Sequence, residues 1–170
     1  AQGPHGFLST GPVAGGYGSL LKPFAKPTAW LHLFKRQHHA TPSWHLAYSA
    51  AIFAQSGHDV VFTAGGLVDG DLAIVLSSLV DYRHETEWAD AMRTRGVRVG
   101  FAGLAASKMP HLFADHADFI LDGEPEAAIG RLARGERLDG ICKSEAIMDL
   151  DSLPSPPWDL ITKPRPLGIQ

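Results

Sequence analysis

A continuous run of apolar residues from Leu72 to Leu76 constrains the fold of this chain more than any other feature. Successive side chains of a strand point to opposite faces of its sheet, so an unbroken apolar run indicates burial on both faces. Such burial is typical of an inner strand in a parallel sheet that has helices on either side. The run therefore predicts a layered α/β domain in which residues 71–77 form a central strand.

Strand-like and helix-like segments alternate on both sides of this run, about every fifteen residues. The apolar pattern predicts further strands at 29–34, 59–63, 97–102 and 119–121, with a small hairpin or extended pair at 138–147. Helical periodicity predicts helices at 43–55, 85–94, 108–114 and 126–134. We expect an α/β fold with a doubly wound parallel five-stranded sheet, Rossmann-like or flavodoxin-like, in the strand order 2-1-3-4-5.

The sequence divides into three expected parts. Residues 1–28 contain many glycines and several prolines and are expected to form an irregular N-terminal arm. Residues 29–148 are expected to form the α/β domain. Residues 149–170 are rich in proline and are expected to form an extended linker, held to the domain by Leu153, Trp158 and Leu160.

Composition excludes several classes of function. The formal net charge is −3, so bulk electrostatics predict attraction neither to nucleic acid nor to a membrane surface. No run reaches the roughly 18–20 apolar residues that a membrane span needs. The single cysteine, Cys142, excludes an intrachain disulfide framework and indicates a reducing, cytoplasmic setting. The histidines are scattered over different predicted elements, so no metal site is expected from them.

Ligands of a doubly wound sheet bind beyond the carboxyl ends of its strands. Two loops there have the composition of a binding site, because small residues permit close backbone approach and serine hydroxyls can hydrogen-bond a ligand. The first loop follows the third strand and contains Ser77, Ser78, Leu79 and Val80. The second follows the fourth strand and contains Gly103, Leu104, Ala105 and Ala106. Gly123 and Glu124 occupy the corresponding position after the fifth strand.

A polar segment opens the helix after the third strand. It consists of Asp81 followed by Arg83-His84-Glu85. We interpret this segment as a solvated helix start, with Glu85 favourably placed near the positive end of the helix dipole. The alternative is a polar site that faces a ligand or a partner domain.

Two further motifs, taken with these loops, carry a resemblance to a known family. The fifth strand ends in Asp122-Gly-Glu-Pro-Glu126, and the segment Leu153-Pro-Ser-Pro-Pro-Trp-Asp-Leu160 lies beyond a short helix. In this order, with Ser-x-Leu after the third strand and Ala-Gly after the fourth, the chain resembles the N-terminal cobalamin-binding domain of cobalamin-dependent radical S-adenosylmethionine enzymes. The resemblance spans residues 29–162.

The resemblance implies a cofactor, a set of binding residues and a partner domain. The cofactor is cobalamin, and the activity implied is that of a methyltransferase with methylcobalamin as methyl carrier, or less often a radical rearrangement or cyclisation. In that family a radical SAM barrel follows, whose CxxxCxxC loop holds a 4Fe–4S iron–sulfur cluster beside S-adenosyl-L-methionine. The chain alone is therefore expected not to turn over and to require such a barrel, in the same polypeptide or in a partner chain. The implied cofactor-binding residues are Ser77, Ser78, Leu79, Val80, Gly103, Leu104, Ala105, Ala106, Gly123 and Glu124.

His38 is a further candidate for cofactor binding. It lies in register with the histidine that coordinates cobalt from below in classical methylcobalamin domains, whose motif is Asp-x-His-x-x-Gly. Here the loop reads Arg36-Gln-His38-His-Ala-Thr41, without the aspartate and the glycine. A metal-bound imidazole normally has a hydrogen-bonding partner on its other nitrogen, so we expect cobalamin binding not to depend on His38. A solvated pair of loop histidines is the alternative at this position. For the whole domain, the alternative is a non-catalytic flavodoxin-like sensor or binding module for another ligand.

Overall fold

The computed structural model describes residues 44–63, 66–79 and 81–157, together with two short strands near the start of the chain. These strands, β1 (Pro12–Val13) and β2 (Gly16–Tyr17), pair in antiparallel orientation within the segment expected to be an irregular arm. The strand predicted at 29–34, together with His38, Val80 and Trp158, lies outside the described residues.

The described chain then alternates between helix and strand. Each strand from β3 onward is followed by a helix that returns the chain to the same edge of the sheet, except the last. The elements are α1 (Trp44–Gln55), β3 (Leu72–Leu76), α2 (Tyr82–Thr94), β4 (Arg98–Ala102), α3 (Leu104–Lys108), β5 (Phe119–Gly123), α4 (Pro125–Ala133) and β6 (Gly140–Ser144).

The main sheet is parallel. In the part of the chain that the structure describes it has four strands, in the order β3-β4-β5-β6. The arrangement is α/β with a Rossmann-like or flavodoxin-like sheet flanked by helices, as the buried run in β3 and the alternation of elements predict.

The prediction of five strands is not confirmed. Residues 59–63 form no strand, and Val61 in their middle is 68% exposed. That segment has only three consecutive apolar residues, which is too few to bury both faces of an inner strand. Residues 140–144, expected in a hairpin or extended pair, instead add a parallel strand to the edge beside β5. The crossover through α4 produces this parallel pairing, because a hairpin turn cannot join parallel strands.

Helices cover both faces of the sheet, and the strand residues alternate between two apolar clusters. One cluster lies under α2 and α3 and is built on strand residues such as Val75, Val99, Phe101 and Ile120. The other lies under α1 and α4, where its strand members are Ala102, Phe119 and Leu121. Leu153, beyond the last strand, packs against this second cluster and so holds the start of the proline-rich segment to the domain.

The segment after β4 differs from its predicted helix at 108–114. The helix is α3, four residues earlier, and single turns of 3-10 helix follow at Pro110–Leu112 and Ala114–His116. Pro110 accounts for the break, because a residue that precedes proline is disfavoured in the helical region. Met109 has φ −133° and ψ 54°, which ends α3. No helix in the described residues is long and apolar enough to cross a membrane.

Candidate functional site

A cleft of about 350 Å³ lies beyond the carboxyl ends of β4 and β5. This is the edge at which parallel α/β sheets bind their ligands, and the volume is at the lower end of the range for small-molecule sites, about 300–1,000 Å³. The cleft receives residues from α1, from the segment after β4 and from the segment after β5, which the topology brings together. Its lining comprises His45, Gly103, Leu104, Ser107, Lys108, Asp122, Gly123, Glu124 and Pro125.

The structure brings four of the residues expected at a ligand site into this cleft, namely Gly103, Leu104, Gly123 and Glu124. Leu104 is 75% exposed, which leaves a large apolar side chain at the mouth of the cleft. Ala105 and Ala106 belong to α3 and are buried in the core cluster that this helix covers. Leu79 lies in the loop that follows β3. Its side chain is 52% exposed, and it is not part of the cleft lining.

Ser77 joins two loops of this edge through its hydroxyl group. The hydroxyl donates to the carbonyl oxygen of Ala102 at 2.8 Å and accepts from the backbone N–H of Ala106 at 2.8 Å. Ala106 lies in the first turn of α3, where backbone N–H groups have no partner within the helix. Gly103, which precedes α3, has no side chain to cap that turn. Ser77 therefore supplies the missing cap from the neighbouring strand.

Two more serines make the same kind of link along the edge. The hydroxyl of Ser107 donates to the carbonyl of Leu121 and accepts from the N–H of Gly123, both at 3.2 Å. The hydroxyl of Ser144 donates to the carbonyl of Glu124 and accepts from the N–H of Ala128 at 3.2 Å. Each hydroxyl thus ties a strand end to the adjacent loop or helix. Ser107 and Ser144 are not among the site residues expected from the sequence, although Ser107 directly follows the predicted binding residue Ala106 and Ser144 ends β6.

Backbone conformation and close packing both require glycine at positions 103 and 123 of the cleft. Gly103 has φ +98° and Gly123 has φ +115°, a region that side chains with a Cβ rarely adopt. A Cβ on Gly103 would lie 2.9 Å from Cδ1 of Leu76, and one on Gly123 would lie 2.3 Å from the carbonyl oxygen of Ser144. The absence of a side chain at Gly103 and Gly123 lets both loops pack closely against the neighbouring strand ends, so the loops do not fill the cleft.

His45 and Glu126 form an ion pair on the rim of the cleft, with His45 Nδ1 3.4 Å from Glu126 Oε1. The hydrogen bond to Glu126 raises the pKa of His45 above its ordinary value. Burial acts to raise the pKa of Glu126, but hydrogen bonds from His45 and from its own backbone hold it below the usual range. The pair joins α1 to the first turn of α4, so it fixes one wall of the cleft.

The polar start of α2 is solvated only in part. Arg83 and His84 are exposed, as expected of a solvated helix start, but Asp81 and Glu85 are buried, which corrects that expectation for these two residues. Asp81 is 6% exposed and Glu85 is 4% exposed. Burial raises the pKa of Glu85 to about 8, although the backbone N–H of Ser78 acts in the opposite direction by donating to this carboxyl group. Burial likewise raises the pKa of Asp81. The sequence offered no signal for this, because charge alone at a helix start favours exposure.

A larger depression of about 550 Å³ lies at the opposite, amino-terminal edge of the sheet. Its charged lining residues are already engaged with each other or with close neighbours. Arg93 lies 3.6 Å from Asp118, and Asp90 lies 2.8 Å from His116. Ligands of parallel sheets bind at the other edge, so the carboxyl-edge cleft is the candidate site. The described residues contain no group of three or more histidine, cysteine, aspartate or glutamate side chains that could hold a metal ion.

Comparison with known proteins adds little to this geometry. No protein-family model matches the sequence, and no curated protein matches it. Among solved structures, the N-terminal domain of a hypothetical protein from Thermotoga maritima is similar, with a TM-score of 0.46 and 17% identity. The match covers 58% of this chain and 88% of that domain. The fold and the cleft therefore define the class: an α/β protein with a flavodoxin-like parallel sheet and a candidate small-molecule site at its carboxyl edge.

Proposed function

We propose that this domain binds cobalamin at its carboxyl edge and serves a cobalamin-dependent radical SAM enzyme, a methyltransferase that uses methylcobalamin as methyl carrier. The observation that carries the proposal is the cleft, because it gathers Gly103, Leu104, Gly123 and Glu124 from the loops that resemble the family. The exit segment after β6 adds support from the sequence. When bound, cobalamin supplies a carrier for the methyl group, and the protein supplies binding and orientation.

The chain's own residues fit the nucleotide tail of such a cofactor. Leu104 offers an apolar surface against which a benzimidazole ring can pack. The ammonium group of Lys108, which also lines the cleft, offers the positive charge that a phosphodiester requires. The links made by Ser77 and Ser107 hold these loops in place before a ligand arrives, which lowers the entropy cost of binding.

A radical SAM barrel, in the same polypeptide or in a partner chain, completes the proposed enzyme. The 4Fe–4S cluster and S-adenosylmethionine belong to that barrel, because the single cysteine of this chain cannot hold a cluster. Substrate contacts belong there as well, so this domain acts as a cofactor carrier. The rival function is a flavodoxin-like sensor or binding module for another ligand, without catalysis.

Cobalamin retention tests the proposal directly. Purified protein is incubated with hydroxocobalamin and desalted, and the bound cofactor is measured by its visible absorbance. The wild-type protein is expected to retain the red cofactor. A substitution of Leu104 to glutamate places a charge where an apolar contact is proposed, and we expect at least about tenfold weaker retention from the lost burial.

Met148→Glu is the matched control, because Met148 is 91% exposed and outside the cleft. It makes the same kind of change, from an apolar to an acidic residue, and is expected to leave retention unchanged. Wild-type protein that passes the column without cofactor would favour the rival function. Equal loss in both variants would show that the effect is not specific to the cleft.

A further inference from the structure

One histidine on the rim of the cleft is held by a carboxylate. His45 lies in the first turn of α1, and its Nδ1 is 3.4 Å from Oε1 of Glu126, in the first turn of α4. The side chain of Glu126 is largely buried, whereas that of His45 is more than half exposed and lines the cleft. The carboxylate therefore engages one ring nitrogen while the imidazole stays accessible from the cleft.

Both members of this pair are fixed by their surroundings. The backbone carbonyl of His45 accepts a 2.8 Å hydrogen bond from the hydroxyl of Ser49, a buried residue one turn further along α1. Glu126 accepts from its own backbone N–H, and α1 and α4 share one apolar cluster through residues such as Ile52 and Ile129. A fixed carboxylate on one nitrogen of an imidazole sets the direction of the other nitrogen, as is usual for histidines that bind metals.

Two other described histidines have the same kind of partner but lie outside the cleft. Nδ1 of His84 is 3.4 Å from Oε2 of Glu87, where both side chains are largely exposed. Nδ1 of His116 is 2.8 Å from Oδ2 of Asp90, beside the depression at the amino-terminal edge. Among the described residues, His45 is thus the carboxylate-bound histidine that lines the candidate site.

We propose that His45, and not His38, coordinates the cobalt of bound cobalamin through Nε2, and that Glu126 positions it. This inference rests on the function proposed above. A benzimidazole ring that packs against Leu104 in the cleft cannot coordinate cobalt at the same time, so the lower axial position becomes available. Neutral imidazole is the commonest protein ligand of metals, and its second nitrogen normally has a partner. The sequence around His38 lacks the expected aspartate, whereas the structure supplies Glu126 for His45.

Coordination by His45 is an exchange of ligands without a change of oxidation state. Nε2 donates its lone pair to cobalt, the benzimidazole nitrogen of the cofactor leaves, and a proton present on Nε2 passes to solvent. Nδ1 keeps its proton and its hydrogen bond to Glu126. That hydrogen bond raises the pKa of His45, so the imidazole is a stronger electron-pair donor once Nε2 has lost its proton.

Electron paramagnetic resonance of cob(II)alamin tests the assignment by isotope. The full chain is produced with ¹⁵N-labelled histidine, purified without imidazole, loaded with unlabelled hydroxocobalamin and reduced by one electron. A ¹⁴N ligand splits the cobalt lines into triplets, whereas a ¹⁵N ligand splits them into doublets. We expect doublets from the labelled protein and triplets from the unlabelled protein. Triplets from both would overturn the proposal by showing that benzimidazole remains on cobalt, and so would lines without nitrogen splitting.

Substitution identifies which histidine is bound. His45→Gln is expected to remove the doublets while circular dichroism shows an unchanged fold. His84→Gln is the matched control, because it removes an imidazole whose carboxylate partner lies at the same distance but outside the cleft. It is expected to keep the doublets. Doublets that persist in His45→Gln would assign the ligand to another histidine. The isotope result on the wild type does not depend on the folding of either variant.

Glu126→Gln tests the positioning role. Glutamine keeps a carbonyl acceptor for Nδ1 but loses the negative charge. We expect the ratio of nitrogen-coupled to uncoupled cob(II)alamin to fall roughly 10- to 100-fold. Glu87→Gln, the corresponding change beside His84, is expected to leave the ratio unchanged. A purely structural role of Glu126 would lower the amount of cofactor retained without changing this ratio, and that result would overturn the positioning role.

Failure of this inference and failure of the proposed function give different results. Protein that retains no cofactor on desalting contradicts cobalamin binding itself, and with it coordination by His45. Protein that retains the cofactor but gives no ¹⁵N doublets contradicts only the assignment of His45.

Discussion

The hydroxyl group of Ser77 donates a 2.8 Å hydrogen bond to the carbonyl oxygen of Ala102, at the end of the adjacent strand. The backbone N–H of Ser77 donates to the same oxygen, also at 2.8 Å. With the links made by Ser107 and Ser144, serine hydroxyls join the loops of the carboxyl edge, while the pair of His45 and Glu126 holds one wall of the cleft. Short side chains join neighbouring loops without filling the cleft between them.

Replacement of Ser77 by alanine is expected to destabilise the domain by about 1–3 kcal/mol, because it leaves the buried N–H of Ala106 without a partner. Urea unfolding, followed by circular dichroism, measures the change in the free energy of unfolding. Ser152→Ala is the control. Among the described residues, the Ser152 hydroxyl donates to the nearby Asp149 carbonyl on the surface, so its loss is expected to cost less than about 0.5 kcal/mol.

Gly123→Ala is expected to cost more stability than Gly135→Ala. Both glycines have positive φ, so alanine is strained by about 1–2 kcal/mol at either position. A Cβ at Gly135 meets nothing within 4 Å, whereas one at Gly123 lies 2.3 Å from a backbone oxygen of Ser144. The difference between the two unfolding free energies isolates this contact between β5 and β6. Equal losses of unfolding free energy in the two variants would mean that β6 shifts away from the new Cβ without an energetic cost.

Glu85 is expected to make the protein less stable as pH rises from about 5 to 8. Its folded-state pKa of about 8 lies above its ordinary value of 4.5, so between these values the folded state holds a proton that the unfolded chain has lost. The free energy of unfolding then falls by at most about 1.4 kcal/mol per pH unit. Glu85→Gln should remove this slope, as measured by urea unfolding at several pH values, and Glu87→Gln should keep it.

The pair formed by His45 and Glu126 is expected to contribute most between about pH 4.5 and 6.5. The raised pKa of His45 gives stability that is complete below 6.5 and lost as pH rises through its folded value. The lowered pKa of Glu126 gives stability that is complete above 4.5 and lost as pH falls. A double-mutant cycle with glutamine at both positions should give a coupling of about 0.2–1 kcal/mol in this window.

The pair His84–Glu87 provides the reference for that cycle. Its side chains are 67% and 75% exposed, against 58% for His45 and 12% for Glu126, so its coupling is expected to be smaller. A coupling for His45 and Glu126 that is constant from pH 4 to 8 would contradict the assignment of an ion pair.

Replacement of His38 by alanine is expected to leave any bound cobalamin unchanged. The sequence Arg36-Gln-His38-His-Ala-Thr41 lacks the aspartate that orients the cobalt-binding histidine in classical methylcobalamin domains, so we do not expect His38 to coordinate cobalt. Electron paramagnetic resonance of cob(II)alamin reports the axial nitrogen through its hyperfine splitting. A splitting that is present in the wild type and lost in His38→Ala would contradict this expectation.

The class of fold followed from local sequence, and so did most of the elements. The apolar run in β3 and the periodic apolar residues of α1, α2 and α4 determine where strands and helices form. The positions of β4 and β5 were predicted for the same reason. These features depend on burial of each segment's own side chains, which a sequence pattern records directly.

Tertiary structure alone decided how the segments meet. The sequence of 140–144 fits either a hairpin or a sheet strand, and the crossover through α4 selects the parallel partner β5. The sequence marks Asp81 and Glu85 as polar, but their burial depends on the turn that packs above them. The links of Ser77, Ser107 and Ser144 likewise join residues distant in the chain. Such contacts produce no periodic pattern in the sequence, because they depend on distance in space rather than on spacing along the chain.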